Sequence, residues 1–97
     1  MIEILWEYEV KDGQAQEFER HYCKGGSWAE FFRRSPAYQG TTLFSGVQNR
    51  YLTWDRWDSQ EAYEEFRLAN RLEYDELDNQ FQALTVSERC LGFFEMK

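Results

Sequence analysis

The opening segment, MIEILWEYEV, constrains the fold more than any other feature of the chain. Ile2, Ile4, Trp6, Tyr8 and Val10 share one parity, and Glu3, Leu5, Glu7 and Glu9 share the other. Successive side chains of an extended strand point to opposite faces, so this period of two predicts a strand with one wholly apolar face and one mixed face. Such a strand needs neighbours in a sheet and a second layer to cover its apolar side. Asp12-Gly13 supplies the turn that leaves it.

The next periodicity is helical. From Gln14 onward, Ala15, Phe18 and Tyr22 recur at spacings of three and four. Gly25-Gly26 interrupts the pattern, and Ser27 predicts a second helical start with Glu30 in capping-box register. Trp28, Phe31 and Phe32 form the apolar side of that piece, and Pro36 closes it. Tyr38 to Gly46 and Arg50 to Trp57 are rich in strand-forming residues and flank a turn at Gly46–Asn49, which predicts a hairpin. Asp58, answered by Glu61, predicts the cap of the longest helix. Tyr63, Phe66, Asn70, Tyr74, Leu77, Phe81 and Leu84 form its continuous face, with a kink expected near Asn70. A last strand is expected over Ser87–Met96, weakened by Gly92.

The order β-α-β-β-α-β predicts an α+β, ferredoxin-like single domain over residues 1–97: a four-stranded antiparallel sheet with helices on one face. The other face, carrying Glu3, Leu5, Glu7 and Glu9 in the first strand, is left bare and partly apolar, so a homodimer that buries it is expected. Aromatic residues make up 19% of the chain, more than one small core requires, which points to a ring-lined pocket or a subunit interface. In YLTWDRWDS, Trp54 and Trp57 differ in parity and should occupy opposite sheet faces. Trp57, next to the helix start, is assigned to the helix side together with Asp55, and Trp54 to the side offered to a partner subunit.

The net charge of −7 argues against nucleic acid and against anionic membrane surfaces as partners. No apolar run is long enough to span a bilayer, and the first residues lack a basic signal-peptide region, so a cytoplasmic protein is expected. Cys23 and Cys90 have no metal-ligand spacing and read as reduced thiols. Glu73, Asp75, Glu76 and Asp78 form a helical charge run of the kind that faces solvent, and no metal site is expected. One histidine and two unplaced thiols do not assemble a nucleophilic triad, and no phosphate-binding loop is present.

The early Trp-x-Tyr-x-Val, EFERHY, GSWAEFF, YQGTTLF, RYLTWDRWDSQEAYEEF and LGFFE together resemble the antibiotic biosynthesis monooxygenase-like family, over nearly the whole chain. The resemblance implies ferredoxin-like subunits paired into a dimeric α+β barrel, with a pocket between each sheet and its helices. It implies one of several activities: cofactor-independent oxygenation of aromatic polyketides, haem degradation, or none yet assigned, so it fixes fold better than function. In haem-degrading relatives a histidine on the second long helix ligates iron and an asparagine sits on the first strand. Residues 59–84 contain no histidine, and LWEYEV contains no asparagine, so that route is disfavoured. Relatives also commonly carry a histidine about nine residues after the tryptophan that precedes this helix; here that position is Phe66.

Trp6 and Tyr8, with Trp28, Phe32 and Tyr74, are candidates for a substrate pocket suited to a flat ring; the competing reading is a solid aromatic core. A cofactor-free oxygenase would need its substrate to become an electron-rich anion, held by Tyr, Trp and Asn donors in an open pocket of several hundred cubic ångströms. Asn70 is a candidate donor into that pocket, or else marks a helix break where its amide bonds nearby backbone. His21 is a candidate general base, or a solvated or edge-packed ring. The readings of function are a cofactor-independent monooxygenase of a small aromatic or quinol-like molecule, a non-catalytic small-molecule-binding or structural homodimer, and a non-oxidative isomerase or cyclase.

Overall fold

The computed structural model describes all 97 residues. The alternating segment forms strand β1 (Ile2–Val10), with Ile4, Tyr8 and Val10 buried on one side. Helices α1 (Ala15–Tyr22) and α2 (Ser27–Phe32) follow, then the hairpin β2 (Tyr38–Ser45) and β3 (Arg50–Trp57). Helices α3 (Gln60–Ala69) and α4 (Arg71–Phe81) and a short 3-10 turn (Gln82–Leu84) lead to β4 (Thr85–Phe94). The strands lie in the order β2-β3-β1-β4 with every neighbouring pair antiparallel, the ferredoxin-like arrangement. No helix is long and apolar enough to cross a membrane.

The apolar stripes meet the apolar sheet face in two joined clusters. One gathers Ile4, Phe31, Phe32, Trp57, Tyr63, Phe66 and Tyr74; the other gathers Tyr8, Val10, Phe18, Tyr22, Tyr51 and Phe81. Trp6, Trp28 and Leu77 pack against both. In β3 the residues Tyr51, Thr53, Asp55 and Trp57 are buried while those between them are not, so Trp57 and Asp55 face the helices and Trp54 faces away.

Three local expectations are corrected, and the break expected near Asn70 is met. Ser59, not Asp58, caps α3: its Oγ accepts from the Ala62 N–H at 3.1 Å, while Asp58 Oδ1 accepts from Gln39 Nε2 at 2.7 Å. The carboxylate lies one residue too early for the cap and is held by β2. Gly26 precedes α2, making Ser27 its first helical residue, and the Ser27 hydroxyl pairs with His21 Nδ1 at 2.7 Å instead of capping. A Cβ on Gly26 would lie 2.5 Å from the His21 carbonyl oxygen, so only glycine fits this close approach. The single long helix is two helices, because Asn70 leaves helical geometry (φ −117°, ψ 31°) and its Nδ2 donates to the Phe66 carbonyl at 2.9 Å. Strand β4 runs two residues earlier than expected, from Thr85 to Phe94, and most of it is exposed because it pairs only with β1.

Candidate functional site

The period-two geometry of the strands delivers a ring of side chains to the space under the helices. Trp6 and Tyr8 come from β1, Thr53 and Asp55 from β3, Thr41 from β2 and Glu88 from β4. Tyr22 of α1, Trp28 and Phe32 of α2, Tyr63 of α3, and Tyr74 and Asp78 of α4 complete the wall. The cavity between them is about 40 Å³. That volume accommodates a water, whereas an apolar cavity of ~150 Å³ is the scale that takes a benzene ring. The cavity falls short of the several hundred cubic ångströms that a cofactor-free oxygenase would need, and lies nearer the reading of a solid aromatic core. Its mouth lies toward β4, where Asp78 is half-buried and Glu88 exposed.

Asp55 lies at the floor. It is 8% exposed, and Thr41 Oγ1 donates to its Oδ1 at 2.6 Å. Tyr38 and Thr41 hydroxyls are 2.5 Å apart. A threonine hydroxyl has one proton, and that proton is committed to Asp55, so Tyr38 is the donor to Thr41. Burial pushes the Asp55 carboxyl up to about 6, against the lowering effect of the Thr41 bond. Tyr8 pairs with Thr53 Oγ1 at 3.2 Å, and burial raises the phenols of Tyr8, Tyr22, Tyr63 and Tyr74, keeping them protonated. Glu88 is also raised, by burial first and then by Asp78. The Trp28 indole N–H stands beside the Tyr22 hydroxyl, close enough to lower that phenol's pKa, but makes no hydrogen bond of good geometry and is buried without an acceptor.

The wall contains three carboxylates and no Lys, Arg or His. Arg67 stacks over the Tyr74 ring at 4.5 Å but is not part of the lining. No three His, Cys, Asp or Glu side chains converge to hold a metal ion.

All five aromatic residues expected around a pocket, Trp6, Tyr8, Trp28, Phe32 and Tyr74, border this cavity. The two polar candidates lie elsewhere. Asn70 spends its amide on the Phe66 carbonyl at the α3–α4 junction, outside the lining. His21 stacks on Phe81 at 4.2 Å and bonds Ser27 and Glu17, as an edge-packed ring does. Asp55, Thr41 and Thr53 were missed as cavity residues, although counting by twos back from Trp57 reaches Asp55 and Thr53.

The opposite sheet face has a different character. Leu5, Phe44, Leu52 and Trp54 form an apolar depression of about 290 Å³, with Phe44 and Trp54 edge-to-face at 5.4 Å. Glu3–Arg56 at 2.9 Å and the pairing of Glu7 with Arg50 and Arg89 flank it. Arg50, then Arg89, holds the Glu7 carboxyl below its usual range.

No protein-family model matches the sequence, and no curated protein sequence does. Solved structures do match. SnoaB, a cofactor-independent oxygenase from Streptomyces nogalater, gives a TM-score of 0.79 at 22% identity, covering 99% of this chain and 92% of that one. The monooxygenase ActVA-Orf6 of Streptomyces coelicolor, solved with nanaomycin D, gives 0.77 at 16% identity, covering 99% and 87%. A conserved protein from Methanosarcina mazei gives 0.76 at 11% identity, covering 99% and 92%. At these identities the likeness establishes the fold: this chain has the ferredoxin-like α+β fold of antibiotic biosynthesis monooxygenase-like proteins. It agrees with the family resemblance read from the sequence.

Proposed function

We propose that this protein is a cofactor-independent monooxygenase of a small aromatic or quinol-like molecule, which binds against Trp6, Tyr8, Trp28, Phe32 and Tyr74. The observation that carries the reading is a cavity combining aromatic walls, hydrogen-bond donors and one buried carboxylate, set between sheet and helices. Its fold is shared with SnoaB and ActVA-Orf6, which gives the reading its reaction class. In the net reaction a ring methylene becomes a carbonyl: one oxygen atom of O2 enters the ring, and the other leaves as water with the two methylene hydrogens. The substrate supplies all four electrons. The unpaired Trp28 N–H and the protonated tyrosines are donors suited to the substrate anion that reduces oxygen. A ring reaches the floor only if the walls part, and the mouth beside β4 is the side with the thinnest cover. A second copy covers the Leu5–Phe44–Leu52–Trp54 depression in this reading, giving the homodimer.

Oxygen uptake by the purified chain with a panel of anthrols and quinols tests the activity. Consumption of one O2 per substrate well above the protein-free rate is expected; a rate equal to the protein-free one refutes the oxygenase. The narrow volume favours a second reading, a non-catalytic homodimer with a filled aromatic core. That reading expects no uptake and no binding of the same compounds.

A further inference from the structure

We propose that Asp55 is the base that removes the proton of a substrate ring hydroxyl, and that the cavity therefore selects neutral hydroxylated rings over carboxylated ones. This rests on the reading that the cavity binds substrate.

The geometry is directional. The run Tyr38 O–H, Thr41 O–H, Asp55 Oδ1 points every proton at one carboxylate oxygen. Thr41 supplies the only side-chain hydrogen bond acting on that carboxyl, which leaves Oδ2 free of protein donors. The phenols that feel the Asp55 charge come from three elements: Tyr8 of β1, Tyr38 of β2 and Tyr63 of α3. Burial raises all three and keeps them protonated, so none competes with Asp55 as the base. Asp78 and Glu88, the other two acids of the lining, stand toward the β4 side and not at the floor. A buried carboxylate with one hydrogen bond and no cationic partner is costly to keep, and its elevated pKa suits a base working near neutral pH.

Charge bookkeeping sets the specificity. A neutral phenol that gives its proton to Asp55 leaves the cavity's net charge unchanged: the O–H bond breaks, its electron pair stays on the ring oxygen, and the proton moves to Oδ2. A substrate arriving with a carboxylate adds a charge that no lining Lys, Arg or His offsets. Thr41 also borders a surface groove at the β2 edge together with Tyr38, so the same hydroxyl run connects the protonated Asp55 to solvent.

The test uses the full chain with 4-nitrocatechol, whose visible band reports ionisation, and 4-nitrobenzoate as the carboxylated comparison. Bound nitrocatechol should carry the phenolate band at a pH where the free probe is mostly neutral, and lose it below about 6. Asp55→Asn should bind the probe without the phenolate band and lower kcat for an anthrol about 100-fold or more. Thr41→Val should move the midpoint of the band to higher pH, because the carboxylate loses its one donor, and it keeps the test open if Asp55→Asn fails to fold. Nitrobenzoate should bind at least about tenfold more weakly than nitrocatechol. A phenolate band that persists in Asp55→Asn, an unmoved midpoint in Thr41→Val, or equal binding of the carboxylate overturns the proposal. Oxygen uptake by a wild type that binds the probe without ionising it removes Asp55 and leaves the oxygenase standing. No binding of nitrocatechol to the wild type, together with no oxygen uptake from an anthrol above the protein-free rate, removes both.

Discussion

Asp55 ties the cavity to the stability of the chain, with a sign that can be worked out. Its carboxyl has an ordinary value of 3.8 and is pushed up to about 6 on folding. The folded state thus favours the protonated form: the stabilisation is complete below about 4 and is lost as pH rises through about 6. A shift of this size corresponds to about 3 kcal/mol. Urea denaturation across that window should show wild-type stability falling as pH rises, after the other carboxylates are allowed for. Asp55→Asn should remove that component and gain about 3 kcal/mol relative to wild type at neutral pH. Identical pH slopes in the two proteins would contradict it. At this scale the sequence was informative in part. Parity along β3 separates Trp57 and Asp55 from Trp54, and the structure has them on opposite faces. The pairing of Asp55 with Thr41 depends on the β2–β3 register, which sets those two residues opposite each other and has no signature in either strand alone.

Helix boundaries depend on which of several adjacent polar residues takes the cap. In Trp57-Asp58-Ser59 both Asp58 and Ser59 are good caps by type, and the choice falls to Ser59 because Gln39 on β2 engages Asp58. Ser59→Ala should cost about 1 kcal/mol and Asp58→Ala clearly less, measured by chemical denaturation. The α3–α4 break was legible as a kink near Asn70, but the role of the Asn70 side chain was not. Phe66, Asn70 and Tyr74 fit one helical stripe by spacing, but periodicity cannot distinguish a polar side chain aimed at a pocket from one that bonds its own backbone. Asn70 does the latter through the Phe66 carbonyl. Asn70→Ala should therefore cost about 1 kcal/mol of stability while leaving turnover within about twofold. A large loss of turnover with unchanged stability would return Asn70 to the site.

For the whole molecule, the alternation of β1 and the order of elements were enough to derive the topology, because a single apolar sheet face admits few closures in a chain this short. The cavity's volume was not legible. It depends on how side chains from four helices and four strands interlock, among them Trp28 edge-to-face with Tyr74 at 5.1 Å. The bare face carries its own prediction: Trp54→Glu puts a charge into the apolar depression beside Phe44. Light scattering at micromolar concentration should give a dimer mass for the wild type and a monomer mass for the variant, and a monomeric wild type would contradict the proposed interface. The central claim is that the cavity under the helices receives a hydroxylated ring. An anaerobic titration with an anthrol, followed at the indole N–H resonances, tests it most directly. Saturable shifts at Trp6 and Trp28 with Trp54 unmoved are expected; the absence of a saturable shift at either cavity tryptophan refutes ring binding there.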